Sequence, residues 1–142
     1  MPGGAAATVS ELPEAARALI EAARRAVLAT VDARGVPASV PICFALKGAE
    51  IVTAVDHKPK GERELRRVRN VRANPDVCVL FDRWDEDWRK LGWVQVYGSA
   101  RIEPPRWAEA ELVQRYPQYV ERPPEGDVIV VTPSRVVWWS FE

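Results

Sequence analysis

WVQVYGSARIE, residues Trp93 to Glu103, alternates without a break. Val94, Val96, Gly98, Ala100 and Ile102 share one face; Trp93, Gln95, Tyr97, Ser99, Arg101 and Glu103 share the other. A period of two with one apolar side describes a strand laid on a core. Pro104-Pro105 ends it, since proline cannot donate to a sheet ladder. Upstream, Val77, Val79 and Phe81 alternate with Cys78, Leu80 and Asp82, which predicts the neighbouring strand. Val27–Val31 and Val36–Leu46 are strand-like and joined by Asp32-Ala33-Arg34-Gly35, a hairpin turn. Pro37 and Pro41 put the second of these at an edge or a bulge. Lys47-Gly48-Ala49-Glu50 is another turn, and Ile51–Val55 the third strand. Val128–Val131 and Arg135–Phe141 close the chain as two strands around Thr132-Pro133-Ser134.

Helical periodicity is confined to three places. Ser10 is an N-cap for a helix running to about Arg25, with Leu12, Ala16, Leu19, Ile20 and Ala23 on one face. Arg24 and Arg25 suit its C-terminus. From Glu62, Leu65, Val68 and Val71 recur every third residue until Asn74-Pro75 stops the helix. Trp107–Tyr116 suits a third, short helix. The reading is a mainly β chain: a split antiparallel barrel of six to seven strands, with an N-terminal helix and a short helix after the third strand. Residues 1–9 are small and predicted to be disordered; residues 10–142 make a single domain.

Composition narrows the function. Twenty basic and twenty acidic residues give a formal charge of zero, which argues against a general nucleic-acid or membrane binder. Cys43 and Cys78 lie in apolar runs without CxxC spacing and read as buried, reduced thiols. The N-terminal residues lack a basic-then-apolar signal pattern, so a cytoplasmic protein is expected.

Within this neutral chain, Asp56–Pro75 (DHKPKGERELRRVRNVRANP) holds seven of the twenty basic residues against three acids. Such a concentration points to a bound anion, with a solvated basic helix and a polar entry loop as the alternative. Lys58 and Lys60 lie in the loop, with His57, the lone histidine, at its head. Arg63, Arg67, Asn70 and Asn74 follow at spacings of four, three and four, one face of the helix. Loop amides, the two lysines and the helix start together suit a phosphate.

Catalytic motifs are missing. One histidine cannot build a His-rich metal site, and no HExxH, Walker, GxGxxG or GxSxG pattern occurs. No metal site and no catalytic side chain is assigned. Asp85, Glu86 and Asp87 read as solvated carboxylates on a loop, and Cys43 as core. A borrowed redox cofactor fits this picture, with the protein supplying grip and orientation. Trp84, Trp88, Trp93, Trp138 and Trp139 cluster around the last strands and suit core or dimer packing, or the walls of a flat aromatic ligand.

VLATVDARGVPASVPICFAL, the basic loop, RNVRANPDVCVLFD, WVQVYGSARIE and the closing VIVVTPSRVVWW resemble the FMN-binding, pyridoxamine 5'-phosphate oxidase-like split β-barrel superfamily. The resemblance covers roughly Ala26–Glu103. It is most like the branch of deazaflavin, or coenzyme F420, dependent oxidoreductases, through Asp56–Lys60, Arg69-Asn70 and Asp85–Trp88 followed by Trp93. It implies a homodimer with two cofactor sites at the interface. It also implies cofactor contacts from Thr53, His57, Lys58, Lys60, Arg67, Asn70 and Trp93. Relatives carry lysine where Arg67 stands, a point charge rather than a forked donor. The Arg-rich tail of true pyridoxamine-phosphate oxidases is missing from the ending Trp138-Trp139-Ser140-Phe141-Glu142, which sets vitamin-B6 oxidation aside.

The functional expectation is therefore a deazaflavin-dependent oxidoreductase that passes a hydride to or from a small organic acceptor. FMN in the same barrel is the alternative. The acidic tail of the deazaflavin favours the first reading, through Arg63 and Arg66. A carrier that holds deazaflavin or haem without turnover is the third.

Overall fold

The computed structural model describes residues 3–55 and 64–141. Eight strands form one antiparallel sheet. They are β1 (Gly3–Ala6), β2 (Ala26–Val31), β3 (Pro37–Ile42), β4 (Ala45–Lys47), β5 (Glu50–Ala54), β6 (Asp76–Arg83), β7 (Gly92–Glu103) and β8 (Val128–Ser140). Seven of them run in the order β3-β2-β6-β7-β8-β5-β4, and β1 pairs with β8 off this path.

The ends of that order are neighbours in sequence: only Cys43 and Phe44 separate β3 from β4. In a flat sheet the outer strands would stand roughly 29 Å apart, at about 4.8 Å per step. Two residues between strand ends reach about 11 Å at most. The sheet must therefore curl, and it does, into the expected split barrel.

Its concave side is filled by one apolar cluster that includes Leu28, Val79, Phe81, Val94, Val96 and Val136. Phe44, from the β3–β4 connector, meets Phe81 edge-on at 4.8 Å between ring centroids. Helix α1 (Glu14–Ala22) adds Ala16, Leu19 and Ile20 to the same cluster. On the far side of β5 and the start of β8, α3 (Glu109–Arg115) and α4 (Gln118–Glu121) bring Leu112 and Tyr119 onto Val52, Ala54, Val128 and Val130. Val128–Val131 is thus covered on both faces, which is why it reads as an unbroken apolar run. Arg101 of β7 holds Glu50 of β5 in a forked pair at 2.5 and 3.2 Å, and Thr132 of β8 donates to the same carboxylate at 2.8 Å. The hydrogen bond from Arg101, ahead of that from Thr132, holds the Glu50 carboxyl below its usual range.

Several elements differ from the sequence reading. Val36–Leu46 divides into β3 and β4 because the chain turns the barrel corner at Cys43-Phe44. β3 is a sheet edge, as its prolines require. The N-terminal helix begins at Glu14, since Pro13 interrupts the chain after a short 3-10 turn at Val9–Glu11. Residues 3–6 form β1 along Val136–Trp139. The two closing strands are one, β8, with an irregularity opposite Tyr97/Gly98 where Ser134 is the extra residue. Ser134 Oγ donates there to the Tyr97 carbonyl at 3.2 Å. Gly98 is required at this point, because a Cβ would lie 2.4 Å from the Thr132 carbonyl oxygen. No helix among the described residues is long and apolar enough to cross a membrane.

Candidate functional site

The middle helix, α2 (Arg66–Ala73), carries the site. Leu65 before it and Asn74 after it are extended, as Asn74-Pro75 predicts. Asn74 Oδ1 accepts from the Asp76 amide at 3.0 Å, an Asx turn that starts β6. Val68 and Val71 are buried, and the intervening Asn70 donates Nδ2–H to Thr30 Oγ1 of β2 at 3.0 Å. Asn70 and Thr30 are 5% and 2% exposed, so this bond is shielded from water and fixes the rotation of α2 on the sheet.

That rotation turns Arg67 toward the seam where the two ends of the curled sheet come together. A pocket of about 210 Å³ lies there. Its lining is Arg67, Thr53 and Ala54 of β5, Pro41 and Ile42 of β3, the connector residue Cys43, and Arg25, just ahead of β2. Two arginines and a threonine thus line one small cavity together with Pro41, Ile42 and Ala54. Arg25 makes no side-chain hydrogen bond or ion pair among the described residues. A phosphate ester, singly charged as a diester and more highly charged as a monoester, matches two forked cations.

The residues expected at the site from the sequence fall into four groups. Thr53 and Arg67 share the seam pocket. Asn70 is the buried pin just described, with one side on a neighbouring concavity. Trp93 lies elsewhere, in a cavity of about 430 Å³ on the outer side of β6–β8 with Trp84, Leu91 and Trp139. His57, Lys58, Lys60 and Arg63 lie outside the described residues.

Sequence reasoning missed two pocket residues. Arg25 reads as a helix-terminal charge, but α1 stops at Ala22 and Arg25 belongs to the approach to β2. Cys43 reads as core, yet it is half-buried and lines the pocket. Cys78 is also half-buried, on the outer face, where burial pushes its thiol pKa up. The acidic loop is ordered by its own carboxylates: Asp85 accepts from the Asp87 amide at 2.7 Å, and Asp87 pairs with Arg89 at 2.9 Å. Trp84 and Trp88, 69% and 63% exposed, pack edge-to-face on this loop.

Residues 12–140 match the family described as pyridoxamine 5'-phosphate oxidase. The chain belongs to that family. Among curated proteins none matches it by sequence. Solved structures show the fold widely. A conserved hypothetical protein of Mycobacterium tuberculosis superposes with a TM-score of 0.72 at 22% identity, over 92% of this chain and 86% of that one. An FAD-binding protein of Mesorhizobium loti gives 0.68 at 17% identity, over 97% of each chain. The haem storage protein HutZ of Vibrio cholerae gives 0.69 at 16% identity, over 87% and 91%. The same fold thus occurs in proteins named for different ligands, so fold alone does not name the ligand.

If Asn70 positions α2, Thr30→Val leaves a buried amide without its acceptor. Urea unfolding should show a loss of about 1–3 kcal/mol. Thr30→Ser, which keeps the hydroxyl, should recover most of it. Equal stability of wild type and Thr30→Val would show that the bond does not hold the helix.

Proposed function

We propose that the chain is an oxidoreductase that holds a phosphate-bearing tricyclic cofactor of the flavin type, coenzyme F420 ahead of FMN, at the sheet seam. The observation that carries this reading is the pocket itself: Arg25, Arg67 and the Thr53 hydroxyl around one cavity. In a family whose named activity is the oxidation of a phosphorylated amine, such a pocket suits the phosphate end of the cofactor. When bound, the cofactor supplies the hydride chemistry, and the small organic substrate accepts or gives up that hydride. The protein's own part is to bind, orient and shield. The two guanidiniums neutralise the phosphate and fix its rotation by forked hydrogen bonds. Pro41, Ile42 and Ala54 present an apolar wall that limits water around those charges and strengthens the grip.

At about 210 Å³ the seam pocket is smaller than a typical ligand site. It accommodates the phosphate end and leaves the ring system outside. A second copy of the chain is the proposed cover, which gives a homodimer with paired sites at the interface. The outer face of the sheet supports this. Val27, Leu80, Gln95 and Val137 form a row across β2, β6, β7 and β8 in the strand register, mostly apolar and half-buried in the single chain. Trp93 and Trp139 pair beside it. FMN remains the second cofactor, because both tricycles present a ribityl phosphate to the same cations. A non-catalytic carrier remains the third reading, since the same fold serves haem storage in one neighbour.

Titration with coenzyme F420 and with FMN, followed by tryptophan quenching, checks the site. Arg67→Ala or Arg25→Ala should weaken the bound cofactor about tenfold, or about 1.4 kcal/mol, with an unchanged melting temperature. An unchanged Kd in both variants would contradict the placement. A turnover assay with the loaded protein separates enzyme from carrier.

Sedimentation equilibrium of the purified chain at micromolar concentration should return the mass of two chains. A monomer with full cofactor affinity would contradict the interface reading.

A further inference from the structure

Helix α2 has a second basic flank. Arg66 and Arg69, one turn apart, look away from the seam and toward the β2–β3 hairpin, where Arg34 rides on the turn. Together with Asp32, Ala33, Asn70 and Ala73 they line a concavity of about 280 Å³. The turn is firmly built. Gly35 takes φ 85°, and Asp32 Oδ1 accepts from the backbone amides of Arg34 at 2.8 Å and Val36 at 2.9 Å. Among the described residues Asp32 is the one carboxylate lining the concavity, and its Oδ1 accepts from the turn amides. The Val36 amide, with the Arg34 amide and the fields of Arg34 and Arg66, holds its carboxyl below the usual range.

Three guanidiniums at one concavity repel each other. Single arginines elsewhere do pair with acids: Glu64 and Asp127 stand at Arg72, Asp87 at Arg89, and Glu50 and Glu103 at Arg101. At Arg34, Arg66 and Arg69 no side-chain hydrogen bond or ion pair is made among the described residues. Among the described residues this gives a local charge of +2, three guanidiniums against Asp32.

We propose that this concavity is a second anion site, distinct from the seam pocket, that takes a group of clustered anionic oxygens with two or more negative charges. Its donors are the forked side chains of Arg34, Arg66 and Arg69, which suit phosphate-type oxygens bidentately. Such a group has two sources: a separate oxyanion, or a distal acidic part of the molecule seated in the seam pocket. The site does not depend on the identity of the cofactor.

Isothermal titration of the full chain with inorganic pyrophosphate at physiological salt tests it. Saturable binding is expected, weakened at least tenfold in Arg34→Gln/Arg69→Gln and recovered in part by Arg34→Lys/Arg69→Lys. Because pyrophosphate can also enter the seam pocket, the same comparison is made in an Arg67→Ala background, where the binding that depends on Arg34 and Arg69 should persist. Unaltered thermal melting of each variant shows that folding is intact. Pyrophosphate that still binds after FMN loading marks a separate ligand. Binding blocked by loading, yet still sensitive to Arg34→Gln/Arg69→Gln, marks a continuation of the seam ligand. No binding in the Arg67→Ala background, or equal binding there with and without Arg34→Gln/Arg69→Gln, overturns the proposal.

Discussion

The antiparallel pairing of β8 with three other strands is the interaction on which the architecture depends. Its first four residues pair with β5 on one side and β7 on the other; its last five pair with β7, and four of these also with β1. Thirteen residues therefore connect the half of the sheet that contains β4 and β5 to the half that contains β2, β3, β6 and β7. A strand that long accumulates twist. The extra residue at Ser134 absorbs the change in register, and Gly98 lets the backbones approach there. With the halves joined at β8 and tied again through Cys43-Phe44, the sheet closes on itself except at the seam.

The seam is where chemistry becomes possible. A closed barrel would pack it with side chains, whereas this one leaves a gap flanked by β3 and β5 and overlooked by α2. The helix is seated by two valines and one buried amide-to-hydroxyl bond. Everything it offers to a ligand follows from that seating. Consecutive residues on a helix point about 100° apart, so fixing Asn70 sends Arg67 into the seam while Arg66 and Arg69 face the hairpin. The structure thus uses a short helix as a two-sided carrier of positive charge in a protein with no net charge.

The strands were legible because burial leaves a period-two trace. WVQVYGSARIE is β7 with the faces as read, and Asp32–Gly35 is the turn its composition predicts. The helix stop at Asn74-Pro75 was equally plain. Thr53 and Arg67 came from a resemblance to relatives, and the pocket brings them together. Arg25 was not legible. Its role depends on the β3–β4 corner folding back onto β5, a contact between residues far apart in the chain that no local pattern records. Asn70 was expected at the cofactor and is found bonded to Thr30, because a polar residue on the buried side of a helix signals a partner without saying which one. Trp93 lies on the face of β7 that alternation predicts, in a cavity apart from the seam pocket.

A crystal structure of the chain soaked with FMN or coenzyme F420 addresses the central claim most directly. The account predicts a phosphate within hydrogen-bonding distance of Arg25, Arg67 and Thr53 in the seam between β3 and β5. A cofactor lodged instead against Trp93 and Trp139, with the seam pocket left to water, would contradict it.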